Sequence, residues 1–255
     1  MQKTFGILLL AALAIYAAAC LALLLLQRSL IYFPPATAAI EAPKISTVTV
    51  PGAEVIISER PHAGPRAIVY FGGNAEDVTM SLPALAEAFP DHALYLPHYR
   101  GYTGSTGKPT EAALVADALL LFDRVATRHT EVVLVGRSLG AGIALQVASL
   151  RPVHKLVLIT PFDSLAALAA RQFPYFPVRR LLRDRYDSVL YAPTIKAPTR
   201  VIAAGQDEIV PAQSTARLVA RFAEGVATQK VIAGAGHNTI SEGAGYVQAL
   251  QWASE

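Results

Sequence analysis

Apolar and polar positions divide this chain into two unequal parts. Residues 5–26 form one apolar stretch, with 21 of 22 residues from the set Ala, Val, Ile, Leu, Met, Phe, Trp, Tyr and Cys and none charged. About 20 apolar residues rising 1.5 Å each cross the roughly 30 Å of hydrocarbon in a bilayer. A cleaved signal peptide has a shorter apolar core, roughly 7–15 residues, before a polar mature start. Ala17-Ala18-Ala19-Cys20 has a faint processing-site look, but Leu21-Ala22-Leu23-Leu24-Leu25-Leu26 prolongs the run past it. The expectation is an uncleaved single-pass anchor over residues 1–27. Lys3 on one side is balanced by Arg28 and Lys44 on the other, too even a split for the positive-inside rule to orient it.

From Lys44 onward the pattern changes. Short apolar or β-branched runs at 47–50, 55–58, 67–71, 93–96, 132–135, 156–159, 200–203 and 230–232 predict eight strands. Helix-like stretches at 111–128, 139–150, 214–221 and 244–252 separate or follow them. Near-continuous apolar strands alternating with helices predict a mostly parallel sheet covered on both faces. The first two strands are joined only by Pro51-Gly52-Ala53-Glu54, so they should pair antiparallel. Residues 28–255 read as one α/β domain, and its chemistry belongs in the loops beyond the carboxyl ends of the strands.

Composition adds exclusions. Apolar residues make up 53% and charged residues 16% of the chain, which rules out a disordered polypeptide. Outside residues 5–26 the apolar share is about 49%, an ordinary globular value. A net charge of +3 with no clustered basic motif gives no case for nucleic acid. The single cysteine, Cys20, allows no intrachain disulfide and no cysteine metal site. There is no phosphate-binding G-x-x-x-x-G-K-[ST] and no dinucleotide G-x-G-x-x-G after the first strand. No cofactor or metal is implied.

Three loops carry chemistry. Gly136-Arg137-Ser138-Leu139-Gly140 directly follows one strand and directly precedes a helix. A nucleophilic serine there needs a sharp, strained turn, and the flanking glycines remove the Cβ bulk that would block it. A serine of this kind needs a base and the base an orienting acid, in the chain order Ser, Asp or Glu, His. Gly205-Gln206-Asp207-Glu208 and Gly234-Ala235-Gly236-His237 follow the seventh and eighth strands, so Ser138, Asp207 and His237 are the candidate triad. Asp163, after the sixth strand, is the rival acid, though it also fits a turn or cap. Glu208 reads as a surface charge. His62, His92, His98, His129 and His154 read as surface or structural residues. The backbone N–H groups of Asn74, in Gly72-Gly73-Asn74, and of Leu139 are the candidate oxyanion donors.

These loops and their order resemble the α/β-hydrolase superfamily. More narrowly, the chain is similar to the bud-emergence-type serine hydrolases. The resemblance covers roughly residues 28–240: Arg28-Ser29-Leu30-Ile31-Tyr32-Phe33-Pro34, Phe71-Gly72-Gly73-Asn74-Ala75-Glu76, the long loop from Tyr99-Arg100-Gly101-Tyr102 to Pro109-Thr110-Glu111, the 136–140 turn, Asp184-Arg185-Tyr186-Asp187-Ser188, and the Asp207 and His237 loops. It implies an α/β-hydrolase fold with an N-terminal membrane segment. It also implies hydrolysis of an ester, thioester or amide through an acyl-serine, without metal or cofactor. Many relatives have His-Gly-Asn where this chain has Gly72-Gly73-Asn74, which bears on the rigidity of that loop. Arg100 reads as a loop-fixing residue.

Only about 38 residues, 161–198, separate the sixth and seventh strands, so a small cap and an open site are expected. Phe173, Tyr175 and Phe176 lie there among Arg171, Arg179, Arg180, Arg183 and Arg185, the composition of a membrane-interface surface. With the anchor, this points to acyl or lipid-type ester and thioester substrates at a membrane. A membrane-bound peptidase with the same triad and a non-catalytic binding protein on the same scaffold are the alternatives. Ser rather than Asp at 138 excludes dehalogenase and epoxide-hydrolase chemistry.

Overall fold

The computed structural model describes residues 2–35 and 42–254. Helix α1 (Gln2–Ile31) contains the apolar stretch and exceeds it at both ends. It is the one helix among the described residues long and apolar enough to cross a membrane, with a mean hydropathy of 2.7 in its most apolar window. All eight expected strands are present: β1 (Lys44–Val50), β2 (Ala53–Arg60), β3 (Arg66–Phe71), β4 (Ala93–Pro97), β5 (Glu131–Arg137), β6 (Lys155–Ile159), β7 (Thr199–Ala204) and β8 (Ala227–Ile232). They form one sheet in the order β1-β2-β4-β3-β5-β6-β7-β8. The β1–β2 hairpin is antiparallel, with Val50 opposite Ala53. β2 also meets β4 antiparallel, and every later pairing is parallel.

Helices α2 (Leu82–Ala88), α3 (Glu111–Ala126), α4 (Leu139–Leu150), α5 (Leu165–Gln172), α6 (Val178–Leu181), α7 (Ser188–Tyr191), α8 (Ala212–Val219) and α9 (Tyr246–Gln251) surround the sheet. The period of two in the strands distributes their side chains between two cores. Ala67, Val69 and Phe71 of β3 and Val132 and Leu134 of β5 join the core under α3, α4 and α8. Ile68, Tyr70, Val133 and Val135 face the opposite core with α2 and α9. Complete burial of each such large side chain stabilises the fold by roughly 1.5–3 kcal/mol. Thr110 starts α3 by accepting from the Ala113 N–H at 3.1 Å, and this fixes the long loop that returns from β4.

The expected cap segment 161–198 contains the three short helices α5, α6 and α7. It lies along α1. Gln27, the buried residue of α1, donates from Nε2 to Leu24 O (2.8 Å) and Leu181 O (3.3 Å) and accepts from the Arg183 N–H at 2.6 Å. Arg28 donates to the buried Asp184 from Nε at 3.0 Å, and the Tyr32 hydroxyl bonds both Asp184 (3.1 Å) and Tyr186 (3.0 Å). Further along α1, the Tyr16 hydroxyl donates to Tyr175 O at 2.9 Å, and its ring stacks on Phe176. Leaving the buried Gln27 amide and Tyr32 hydroxyl unpaired would be costly, and the cap supplies their partners.

Candidate active site

The sheet order reverses around β3, because β4 lies on one side of it and β5 on the other. That is the topological switch point where ligands bind in open α/β sheets. Phe71 and Gly136 stand opposite each other at the carboxyl ends of β3 and β5, so the loops after these strands meet there.

Ser138 occupies the turn between β5 and α4 with φ 49° and ψ −111°, a left-handed conformation that is costly for a residue with a side chain and is stored at functional sites. Glycine is required beside it. A Cβ on Gly136 would lie 2.4 Å from Gly140 O, and one on Gly140 would lie 2.0 Å from Phe71 O. The Ser138 N–H bonds Ile159 O at 2.8 Å, which holds the turn to the next strand.

His237, almost fully buried, places Nε2 2.9 Å from Ser138 Oγ. Its Nδ1 lies 2.9 Å and 3.0 Å from the two carboxylate oxygens of Asp207. With the ring proton on Nδ1, the ring donates to Asp207 and accepts from the serine hydroxyl. Asp207 is fixed in turn by the N–H groups of Ile209 (3.0 Å) and Val210 (2.7 Å). The structure thus brings Ser138, His237 and Asp207 into one hydrogen-bonded line, in which an imidazolium formed by proton transfer from serine would face a buried carboxylate.

The rival acid, Asp163, is engaged elsewhere. It accepts from Ser214 Oγ (2.5 Å), the Ser164 N–H (3.0 Å) and Arg217 Nε (2.7 Å). Glu208 is exposed, as a surface charge would be, but it also has a structural bond: Oε2 accepts from the His237 N–H at 3.0 Å. That bond to the backbone lowers its pKa. Arg100 does hold its loop, through Asp117 and the Pro51 carbonyl. Buried His98 bonds Ser58, and buried His129 bonds Tyr95 and the Gly64 carbonyl.

Asn74 and Leu139 line the same cleft as Ser138 and His237, a space of about 530 Å³. Leu139 is the first residue of α4, so its N–H has no partner within the helix. In the loop after β3, the Gly73 N–H is taken by Glu76 Oε2 at 2.6 Å and the Ala75 N–H by Asn74 Oδ1 at 3.1 Å. The Asn74 N–H has no hydrogen-bond partner among the described residues. The Asn74 side chain has a role that the sequence did not disclose. Its Nδ2 donates to Ile31 O at 2.6 Å, and its Oδ1 accepts from the Phe33 N–H (3.0 Å) and the Tyr102 hydroxyl (2.8 Å). The end of α1 is therefore bonded directly to this loop.

Sequence reasoning also missed Glu76 and Arg137. Glu76 receives the Tyr70 hydroxyl (2.6 Å), the Ser81 hydroxyl (2.7 Å), the Gly73 N–H and Arg137 (3.4 Å). Burial and the Glu76 charge push the Tyr70 pKa up, so this hydroxyl stays a donor. Arg137 also reaches the carbonyl groups of His237 (3.4 Å) and Asn238 (3.2 Å) and ties the β3 loop to the histidine loop. An arginine immediately before the candidate nucleophile, with a glutamate three residues after a glycine pair, was the available signal. Among the described residues no three His, Cys, Asp or Glu side chains group as metal ligands would.

A mostly parallel sheet with a serine turn at its switch point, and with aspartate and histidine loops following later strands, defines the α/β-hydrolase class. The chain belongs to the α/β-hydrolase family, whose model matches residues 64–194, and it is similar to proteins of the bud-emergence type. An uncharacterised protein of Mycobacterium tuberculosis is 38% identical over 231 residues, covering 83% of this chain and 80% of that one. The Schizosaccharomyces pombe protein bem46 is 28% identical over 176 residues, 64% of this chain and 58% of that one. Among solved structures, Est1E from Butyrivibrio proteoclasticus with ferulic acid bound superposes with a TM-score of 0.67, covering 81% of this chain and 96% of that one. At 15% identity that likeness shows the fold alone.

Proposed function

We propose that this protein is a membrane-anchored serine hydrolase that cleaves carboxylic ester or thioester bonds of acyl or lipid-type substrates. The observation that carries this reading is the line Ser138–His237–Asp207, at 2.9 Å for each of its two links, at the edge of the cleft. His237 takes the serine proton as Oγ attacks the acyl carbonyl carbon. The oxyanion is stabilised by the N–H groups of Asn74 and Leu139. Collapse expels an alkoxide or thiolate that takes the proton from His237 and leaves an acyl-serine. Water, deprotonated by His237, attacks that ester, releases the carboxylic acid and restores Ser138. Asp207 orients the ring and stabilises its charged form throughout.

The same reading assigns residues 1–27 to the anchor and 28–255 to the hydrolase domain, with the cap at about 161–198. Retention of α1 is supported by its bonds to the domain: Gln27, Arg28 and Tyr32 all have partners in the cap, which cleavage upstream of them would leave without the helix that presents them. The test is labelling of the full-length protein in membranes with a fluorophosphonate, wild type against Ser138→Ala. Labelling of the wild type alone is expected, with a rate difference on the order of 10⁴ or more. A panel of esters and thioesters then separates the two bond types. A folded wild type that does not react would overturn the proposal.

A further inference from the structure

The cleft does not end at Ser138. Four of its lining residues, Leu30, Ile31, Ala169 and Leu182, also line a second, narrower groove between α1 and the cap. That groove runs on between Leu23 of α1 and Phe173, Phe176, Val178 and Leu181 of the cap and is much the smaller space, about 80 Å³ against about 530 Å³ for the cleft. Its one polar lining residue is Gln27, whose amide nitrogen and oxygen are both bonded to backbone. The walls therefore offer a ligand only apolar contact.

The position of the groove says which ligand. Leu23 belongs to the uninterrupted apolar stretch 5–26, and Phe176 stacks on Tyr16 near the middle of that stretch. If residues 5–26 cross a bilayer, the far end of the groove opens among lipid chains, not in water. Leu30 and Leu23 are seven residues apart along the helix, about 10 Å. A four-carbon acyl group held at Ser138 is too short to run the length of that groove, whereas a sixteen-carbon chain is long enough to. The arginines at 171, 179, 180 and 183 stand on the same cap, where their long stems can carry the charge back to the headgroup level.

We infer that the α1–cap groove is the binding site for one hydrocarbon chain, which enters sideways from the bilayer and presents its acyl carbonyl to Ser138. This rests on the serine-hydrolase reading above. It makes the anchor helix a wall of the substrate site. Substrates are then long-chain acyl esters or thioesters that bring a single chain into the groove.

The test uses the full chain in phosphatidylcholine vesicles and a sixteen-carbon alkyl fluorophosphonate carrying a diazirine near the chain terminus. After labelling, irradiation and peptide mapping should place the cross-link on α1 around Leu23 or on the cap around Phe176. In parallel, Leu23→Trp fills the groove, while Leu25→Trp puts the same ring on the exposed side of α1. Relative to hydrolysis of a butyryl ester, hydrolysis of a palmitoyl ester should fall about tenfold or more in Leu23→Trp and hold its wild-type ratio in Leu25→Trp. Labelling of Ser138 with cross-links elsewhere, or an unchanged ratio in Leu23→Trp, would overturn the groove and leave the serine hydrolase standing. Failure of the wild type to label at all would overturn both.

Discussion

Gly140→Ala is the substitution that most directly tests how the site is built. Gly140 lies one turn into the elbow, and a Cβ there would lie 2.0 Å from Phe71 O, 2.5 Å from Phe71 C and 2.5 Å from Gly72 O. All three contacts are backbone at the end of a central strand, so no side chain can rotate away. Relief to an ordinary contact requires about 1 Å or more of relative movement between α4 and the β3 loop. Overpacking of this kind costs about 1–3 kcal/mol. The larger effect is on rate, because Asn74 follows Gly72 by two residues and Leu139 precedes Gly140 by one. A 1 Å misplacement costs on the order of 10²-fold, and loss of one oxyanion donor about 10²–10³-fold. Gly142→Ala is the comparator on the same helix. Its Cβ would meet the ring of Tyr186 at 3.0 Å, on the cap side, and it gains up to about 1 kcal/mol of helix propensity. The assay is the second-order rate of fluorophosphonate labelling and kcat/KM on a soluble ester, with a melt of each variant. Gly140→Ala should lose at least about 10²-fold, while Gly142→Ala stays within about threefold of the wild type. A Gly140→Ala protein that melts normally and keeps its rate would refute the claim that this contact positions the oxyanion loop.

Three further outcomes follow from particular contacts. Asp207→Asn keeps the shape of the site but removes the charge that faces His237, so turnover should fall about 10⁴-fold with little change in melting, measured on the same soluble ester. Asp184→Ala removes the buried acceptor of Arg28 and Tyr32. With Arg28 half exposed, the loss should be a modest ~1–2 kcal/mol, read as a lower melting temperature and faster proteolysis after α1. Burial, then the charge of Arg66, lowers the His92 pKa to about 4, against about 6.5 in the unfolded chain. The folded state therefore resists a proton that the unfolded state accepts. This contribution is intact above pH 6.5 and is lost as pH falls toward 4. Denaturant titrations at pH 7 and pH 5 should differ by about 2 kcal/mol from this residue, and His92→Phe should flatten that difference. Among the described residues Nδ1 of His92 has no hydrogen-bond partner, so the apolar ring can replace it.

The legible features were those encoded by short-range pattern. β3 and β5 could be read because every residue facing either core is apolar, and the serine turn because its glycines sit against backbone. β8 was read as 230–232 but runs Ala227–Ile232, since Thr228 and Gln229 are exposed, polar positions of an edge strand. α2 was not foreseen. It has seven residues, a proline in its first turn and no side-chain cap, so it owes its form to the core it covers. That β4 inserts between β2 and β3 depends on pairing between distant segments, which no local window carries. That Asp163 is taken up by Arg217 and Ser214 of α8, while Asp207 lies beside His237, depends on distant segments in the same way. The network around Glu76 joins four separate segments and left only adjacent glycines and charges as its trace.

That network also resolves the question raised by glycine at position 72, where many relatives carry histidine. A Cβ on Gly72 would stand 2.6 Å from Val78 Cγ1, so this backbone has no room for a side chain there as it is packed. Rigidity is supplied by other means: the Tyr99 hydroxyl donates to Gly72 O at 2.7 Å, Glu76 takes the Gly73 N–H at 2.6 Å, and the Asn74 side chain grips the end of α1 on one side and Tyr102 on the other. Each successive residue of the loop has a partner, Glu76 within the loop and Tyr99, Tyr102 and the end of α1 outside it, so none can rotate without breaking a bond in a partly buried setting. One of those partners is the apolar helix itself. Removing α1 to make the domain soluble would take away the bond to Ile31, leave that from Phe33 on a free chain end, and remove a wall of the cleft, so low activity in such a truncation would report on the damaged loop and not on the chemistry of Ser138.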